Sequence, residues 1–529
     1  MKPSRIAILI WCAIALLGVM CVALPERMQI GELTLRWTTL NKVLGAEEQG
    51  TRSQDERYNS FVSENSKMSV STAGETPASP AASPSSLNLD SVSNESKPNT
   101  SRSTVNIPTV EDVEGDSDAL TAFRQGLAEA DRRTVRVVHY GDSQIEEDRM
   151  TQTLRRRLQA VYGGGGVGML PLQQTIPTRT IKQTLTVNGI RQTTQQGPRR
   201  HLVYGPKAQR RGDGLYGPMG QVAFIGDTVL QRQDSAVLHV EPMGKKHHSE
   251  TYFNRLHLWV NGDFRYYLNG QPMPKGGAVS RPHQMGAHDI AVRPGDCTSY
   301  VLADSTTSCD LALVGCGEVF GISLETEKGV IVDNVPMRGC TGTIFTDIDS
   351  TQLATFYQET NTRLIIMQFG GNAIPFNEQP STIAGTVQSL RKQVRYLRQC
   401  APEASIIFVG PGDMLTLIDG ETTTYPLLPY MDRLLRKMAA EEHIAYFSLY
   451  EMMGGKESML RWQKNGWAGS DGVHFTRRGA EIAGEKLSEY IITTIRPPSA
   501  ERQKTAHGVR CQTDSQSEVN KSDSVAVGQ

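Results

Sequence analysis

Neither sign of charge dominates this chain. Lys and Arg number 55 against 56 Asp and Glu, and nothing in it resembles a basic stripe interleaved with aromatics. Nucleic acid is therefore disfavoured as a partner. Cysteine is thinly spread, with eight in 529 residues. Cys12 and Cys21 fall in an apolar N-terminal segment and Cys511 in a polar tail. The other five, Cys297, Cys309, Cys316, Cys340 and Cys400, have neither zinc spacing nor the density of a disulfide scaffold. One disulfide within 297–316 stays open outside the cytoplasm, although free buried cysteine is the commoner state. His247-His248 lack acidic or cysteine partners at ligand spacing, so no metal is expected, and no cofactor is called for.

A long apolar run opens the chain. Lys2 and Arg5 precede an unbroken apolar stretch, 6–24, which as a helix would span roughly 28 Å, close to a hydrocarbon core. The flanking positive charges predict an N-terminus in the cytoplasm and the remainder outside it. The rival is a cleaved signal peptide, but the run ends Val22-Ala23-Leu24-Pro25, a poor cleavage site. The expected organisation is thus a membrane anchor over 1–28 and a tether over 29–109. The tether is rich in Ser, Thr, Asn, Glu and Pro beyond a weakly alternating strand-and-turn stretch near Gln29. Such a composition buries too little surface to offset ordering entropy, so it is read as disordered, as is the polar tail 498–529.

What remains alternates between strand and helix patterns. Helices are predicted over 119–131, 150–161, 351–360, 382–398, 427–442 and 477–494. Strands are predicted over 135–139, 320–324, 330–334, 363–368, 405–410 and 444–448. This rhythm predicts an α/β fold with a parallel sheet covered on both faces, split into 110–168 and 319–497. Between the halves, 169–318 shows short alternating stretches and no long helical pattern. It is read as an inserted β-sandwich, with a hairpin turning at Asn261-Gly262. Trp259, Tyr266 and Tyr267 within it suit core packing better than a sugar platform. The basic run Arg199-Arg200, Lys207, Arg210-Arg211 reads as a solvated face rather than a grip on an acidic glycan.

Four loops of the α/β part carry reactive residues. Gly141-Asp142-Ser143 ends the first strand where a helical pattern begins, a sharp bend that exposes the hydroxyl beside free helix amides. Arg338-Gly339-Cys340-Thr341-Gly342 follows the strand at 330–334, Phe369-Gly370-Gly371-Asn372 the next, and Ser470-Asp471-Gly472-Val473-His474 precedes the last helix. A second copy, Gly115-Asp116-Ser117, has no strand before it and reads as accidental.

The order and content of these loops resemble the SGNH, or GDSL, hydrolase superfamily. The resemblance implies a flavodoxin-like doubly wound sheet and a serine esterase. Ser143 would be the nucleophile, His474 its base and Asp471 the orienting acid. The N–H of Ser143, the N–H of Gly342 and the amide of Asn372 would form the oxyanion hole, with Gly342 a better match than Gly339. Two positions depart from the family pattern, Gln144 where leucine is usual and Ala373 where aspartate is common. His139, beside the nucleophile, reads as packed rather than catalytic. With the anchor, tether and insert, the expected activity is extracytoplasmic removal of O-acetyl groups from cell-wall or surface polysaccharide, peptidoglycan among them. An O-acetyltransferase with the same triad and a non-catalytic glycan-binding scaffold remain open.

Overall fold

The computed structural model describes residues 118–193, 197–243, 248–273 and 297–495, together with the backbone of two short strands, Arg27–Ile30 and Leu33–Arg36. Those two strands pair antiparallel as a hairpin, where a single short strand was expected; the helical turn expected after it lies outside the described residues. The predicted anchor, most of the tether, the Gly115-Asp116-Ser117 copy and the tail lie outside the described residues. Among the described residues no helix is long and apolar enough to cross a membrane.

The chemistry-bearing part is a five-stranded parallel sheet. Its strands are β1 (Thr134–Gly141), β2 (Gly329–Pro336), β3 (Thr362–Gln368), β4 (Ser405–Gly410) and β5 (Ala445–Ser448). They lie in the order β2-β1-β3-β4-β5, every pairing parallel. This is the flavodoxin-like order, and it opens a crevice where the strand sequence reverses beside β1. Six of the eight described helices are α1 (Thr121–Leu127), α2 (Thr151–Tyr162), α3 (Ser350–Glu359), α4 (Pro380–Cys400), α5 (Leu428–Glu441) and α6 (Arg477–Ile495); the short helices Leu449–Met453 and Ser458–Lys464 precede the last of them.

Period-two alternation sends each strand's side chains into two different cores. Val135, Val137, Leu364, Ile366, Ile407 and Val409 pack with α1, α2 and α6. Val138, Tyr140, Ile365, Met367, Ile406 and Phe408 pack with α3, α4 and α5. Both faces of the sheet are therefore apolar, which is why these strands read as near-continuous hydrophobic runs. Helix α2 stops at Gly163, whose φ of 72° lies outside helical space.

The inserted segment differs from expectation in three ways. First, its ten strands form one connected antiparallel sheet rather than two separate ones. Leu238, Leu258, Leu313 and Ile322 of that sheet share a single core. Secondly, the sheet extends from Gly168 to Glu325. The strand predicted at 320–324 as α/β is the end of the insert's 17-residue strand Cys309–Glu325. Thirdly, Asn261-Gly262 is not a turn. It lies inside one 16-residue strand, Phe253–Leu268, with Gly262 opposite Gly317. A Cβ on Gly262 would sit 2.7 Å from the Gly317 Cα. These glycines let two backbones crowd together while both strands bend, a use of glycine that imitates a turn in sequence.

The insert is bonded tightly to the α/β part. Arg136 on β1 is fully buried and pairs with Glu325 of the insert and Asp333 of β2, the latter at 2.6 Å. Trp259 packs edge-on against Phe356 of α3, with ring centroids 5.3 Å apart. Arg211 pairs with Asp213 and Glu318, and Arg210 reaches Asp347, so much of the basic run is neutralised. All five described cysteines are free.

Candidate active site

All four loops emerge at the carboxyl end of the parallel sheet. Strand β1 ends at Gly141, and residues Ser143–Asp148 form a short 3-10 turn before α2 begins at Thr151. The helix expected immediately after the serine is thus delayed by one turn. Within that turn Glu147 and Asp148 take left-handed backbone angles, φ 60° and 62°. Asp148 is secured by Arg155 at 2.5 Å and by the Thr180 hydroxyl at 2.5 Å. Paired polar contacts of this kind offset the cost of a strained backbone.

Asp142, not Ser143, caps the turn. Its Oδ1 accepts from the Gln144 N–H at 3.0 Å. Ser143 is therefore not consumed as a helix cap, and its Oγ lies 2.8 Å from His474 Nε2. His474 Nδ1 lies 2.7 Å from Asp471 Oδ2. The other Asp471 oxygen accepts from the Val473 and His474 N–H groups, each at 2.9 Å. Burial works against the Asp471 charge, but the histidine and the two amides outweigh it and hold the carboxyl down at about 2. Asp471 is therefore a carboxylate throughout the neutral range.

The predicted oxyanion groups converge on the same loops. Asn372 Nδ2 donates to Asp142 Oδ2 at 3.2 Å and to the Cys340 carbonyl at 3.1 Å. Gly342 has φ 88°, and a Cβ there would meet Phe369 at 2.6 Å. Its N–H faces Cys340 Sγ at 3.3 Å, a weak acceptor. Burial raises the Asp142 carboxyl to about 6 and pushes the Cys340 thiol up to about 12. His139, expected to be packed, is buried between Gln368 and Thr151, and burial lowers it to about 4.

Two residues named in the sequence without a role hold the site together. Gln144 bonds to both sides of His474, with Nε2 donating to the Val473 carbonyl at 2.7 Å and Oε1 accepting from the Phe475 N–H at 3.4 Å. Arg338 grips buried Glu146 through Nε and Nη2, both at 2.6 Å, and ties the second loop to the Ser143 turn. That pair also borders a cavity of about 70 Å³ between the α/β part and the insert, walled by Met169, Ile176, Tyr204 and Met219. No sequence signal marks these partners, because about 190 to 330 residues separate them.

Residues 304–482 match the model of the GDSL-like lipase/acylhydrolase family. The match takes in Gly342, Asn372, Asp471 and His474 but not Ser143, which the insert separates from them. No curated protein sequence matches the chain. Among solved structures, a peptidoglycan O-acetylesterase is 20% identical, with a TM-score of 0.53 over 72% of this chain and 98% of that one. An acetyl xylan esterase is 12% identical over 30% of this chain and 81% of that one, with a TM-score of 0.23. A family two carbohydrate esterase from Clostridium thermocellum in complex with cellohexaose is 10% identical over 52% and 99%, also at 0.23. The last two scores are too low to imply a shared fold. On that match, residues 304–482 carry a GDSL-like lipase/acylhydrolase domain, the protein is an acylhydrolase, an enzyme that cleaves ester bonds, and it shares its fold with the first of these structures.

Proposed function

We propose that this acylhydrolase is a serine esterase that removes O-acetyl groups from cell-wall or surface polysaccharide, and that it works outside the cytoplasm on an N-terminal membrane anchor. The observation that carries the mechanism is the unbroken hydrogen-bonded line from Ser143 Oγ through His474 to Asp471. In this reading Ser143 Oγ attacks the acetyl carbonyl carbon while its proton passes to His474 Nε2. Asp471 keeps Nδ1 protonated and stabilises the imidazolium. The tetrahedral oxyanion accepts from the N–H groups of Ser143 and Gly342 and from the Asn372 amide. Both Asn372 N–H directions are already engaged, so the oxyanion replaces one of the present acceptors, Asp142 or the Cys340 carbonyl. Collapse breaks the ester C–O bond, and the sugar alcohol leaves with the proton from His474. Water then attacks the acyl-enzyme, His474 takes its proton, and acetate departs as Ser143 is regenerated.

The polysaccharide substrate is supported by the shared fold with a peptidoglycan O-acetylesterase. That match covers 72% of this chain, a share that the α/β part alone, under half of the chain, cannot supply. The extracytoplasmic site rests on the apolar run 6–24 and its flanking Lys2 and Arg5.

The test is acetate release from O-acetylated peptidoglycan by the full-length protein in detergent, with Ser143→Ala alongside. Release by the wild type and none by the variant is expected. Equal traces would sink the reading. Acetate appearing on added saccharide in excess of free acetate would indicate a transferase instead, and glycan binding without turnover would indicate a scaffold.

A further inference from the structure

The site contains a device that holds His474 in register with Ser143, and it is built from the side chain next to the nucleophile. His474 sits in an exposed loop, its side chain about 30% accessible. The loop's own bonds define its shape but not its place relative to the serine. Asp471 takes the amides of Val473 and His474, and the Gly469 N–H donates to the His474 carbonyl at 2.8 Å. The Gly472 carbonyl accepts from the Leu415 N–H at 2.9 Å, which fastens the loop to the segment after β4.

We propose that Gln144 is a positioning residue for His474, an assignment that rests on the serine-esterase reading above. Its backbone N–H is pinned by Asp142 Oδ1 at 3.0 Å, so its side chain starts from a fixed point on the nucleophile turn. The amide then straddles the histidine. Nε2 donates to the carbonyl of the residue before it, Val473, and Oε1 accepts from the N–H of the residue after it, Phe475. One neutral group supplies both donor and acceptor, which a carboxylate or an apolar side chain of similar length cannot do. Arg149 braces the same segment from α2's approach, with Nε donating to the Glu146 carbonyl at 3.0 Å and Nη1 to the Phe475 carbonyl at 3.4 Å. The general base is thus indexed to the nucleophile by the nucleophile's own turn rather than by its own loop.

A general base acts only when its nitrogen is within hydrogen-bond reach of the proton it takes, and a misplacement of about 1 Å costs on the order of 100-fold in rate. The test compares wild type, Gln144→Met and Gln144→Glu in the full-length protein. It measures kcat and KM on p-nitrophenyl acetate, the rate at which a fluorophosphonate labels Ser143, and the melting temperature. Gln144→Met is expected to lower kcat by about 10- to 100-fold with KM within about threefold. Ser143 labelling should slow in parallel, because it too needs His474 to take the serine proton, while melting stays put. Gln144→Glu keeps the acceptor for Phe475 and loses the donor to Val473. It should show the same loss, and it serves if the methionine variant does not fold. A kcat and labelling rate within about twofold of wild type in a folded variant would overturn the assignment. If Ser143→Ala were as active as wild type, the esterase reading itself would have failed. If Ser143→Ala is dead and the Gln144 variants are fully active, only the positioning role fails.

Discussion

Asp471→Asn is the substitution whose consequence the geometry fixes most narrowly. Asp471 Oδ1 faces two backbone N–H donors, from Val473 and His474, at 2.9 Å each. Only an oxygen can occupy that position, so the amide nitrogen of the replacement must face His474 Nδ1, now 2.7 Å from Oδ2. An amide N–H cannot accept, so Nδ1 must present its lone pair and the ring proton must move to Nε2. That nitrogen lies 2.8 Å from Ser143 Oγ and can then only donate to it. The histidine is held in place in the wrong tautomer. A swap of this kind in a serine triad costs on the order of 10⁴ in kcat, about 5.5 kcal/mol of activation free energy. The alternative, turning the amide around, would set its N–H groups against two backbone donors and forfeit both bonds at about 1 kcal/mol each. The assay is p-nitrophenyl acetate turnover by wild type and variant near neutral pH, with circular dichroism to confirm the fold. A kcat within about tenfold of wild type would refute the assigned roles of Asp471 and His474.

Other consequences follow from the same structure. Gly342→Ala places a methyl against Phe369 at a backbone angle that L side chains avoid, so its N–H should be displaced and kcat should fall by about 100- to 1000-fold; an unchanged kcat in a folded variant would remove Gly342 from the oxyanion hole. Arg136→Met takes the shared guanidinium from the buried carboxylates of Glu325 and Asp333, leaving Glu325 with His257 and Ser323 and Asp333 with the Met169 N–H, which should cost about 3–5 kcal/mol of stability in urea melts. Burial is the largest influence on both carboxyls and opposes their charge, and it already raises Asp333 with Arg136 in place; without Arg136 the variant is therefore penalised most where these groups are ionised, and this penalty grows as pH rises from the unfolded carboxylate range through the raised folded value. The deficit should therefore be smaller in acid than at neutral pH, and equal deficits would contradict this reasoning. Burial pushes the Cys340 thiol up to about 12, so iodoacetamide should leave it unmodified near neutral pH while a fluorophosphonate inactivates the enzyme. Rapid alkylation of Cys340 traced by mass spectrometry would show that the second loop opens.

The five strands of the parallel sheet and the helices α1 to α6 were legible because both faces of the sheet are covered, which writes each strand as an apolar run ending in a loop of small or polar residues. Val135 to Tyr140, followed by Gly141-Asp142-Ser143, is the clearest case. The insert was less legible. Its bends are made with glycine inside continuous strands, as at Gly262 and Gly317, and the same residues in the same order also write a hairpin.

By itself the sequence determined which side chains can do chemistry and the order in which loops deliver them, because nucleophile, acid, base and amide are covalent identities that folding does not alter. Tertiary structure alone decided how they are held. Asp142 rather than Ser143 caps the turn, Gln144 straddles His474, Arg338 seizes Glu146, and Arg136 joins the insert to β1 and β2. Most of these contacts join residues about 190 to 330 positions apart. Local propensity carries no trace of such pairs, since they exist only once burial has brought the segments together and stripped them of water.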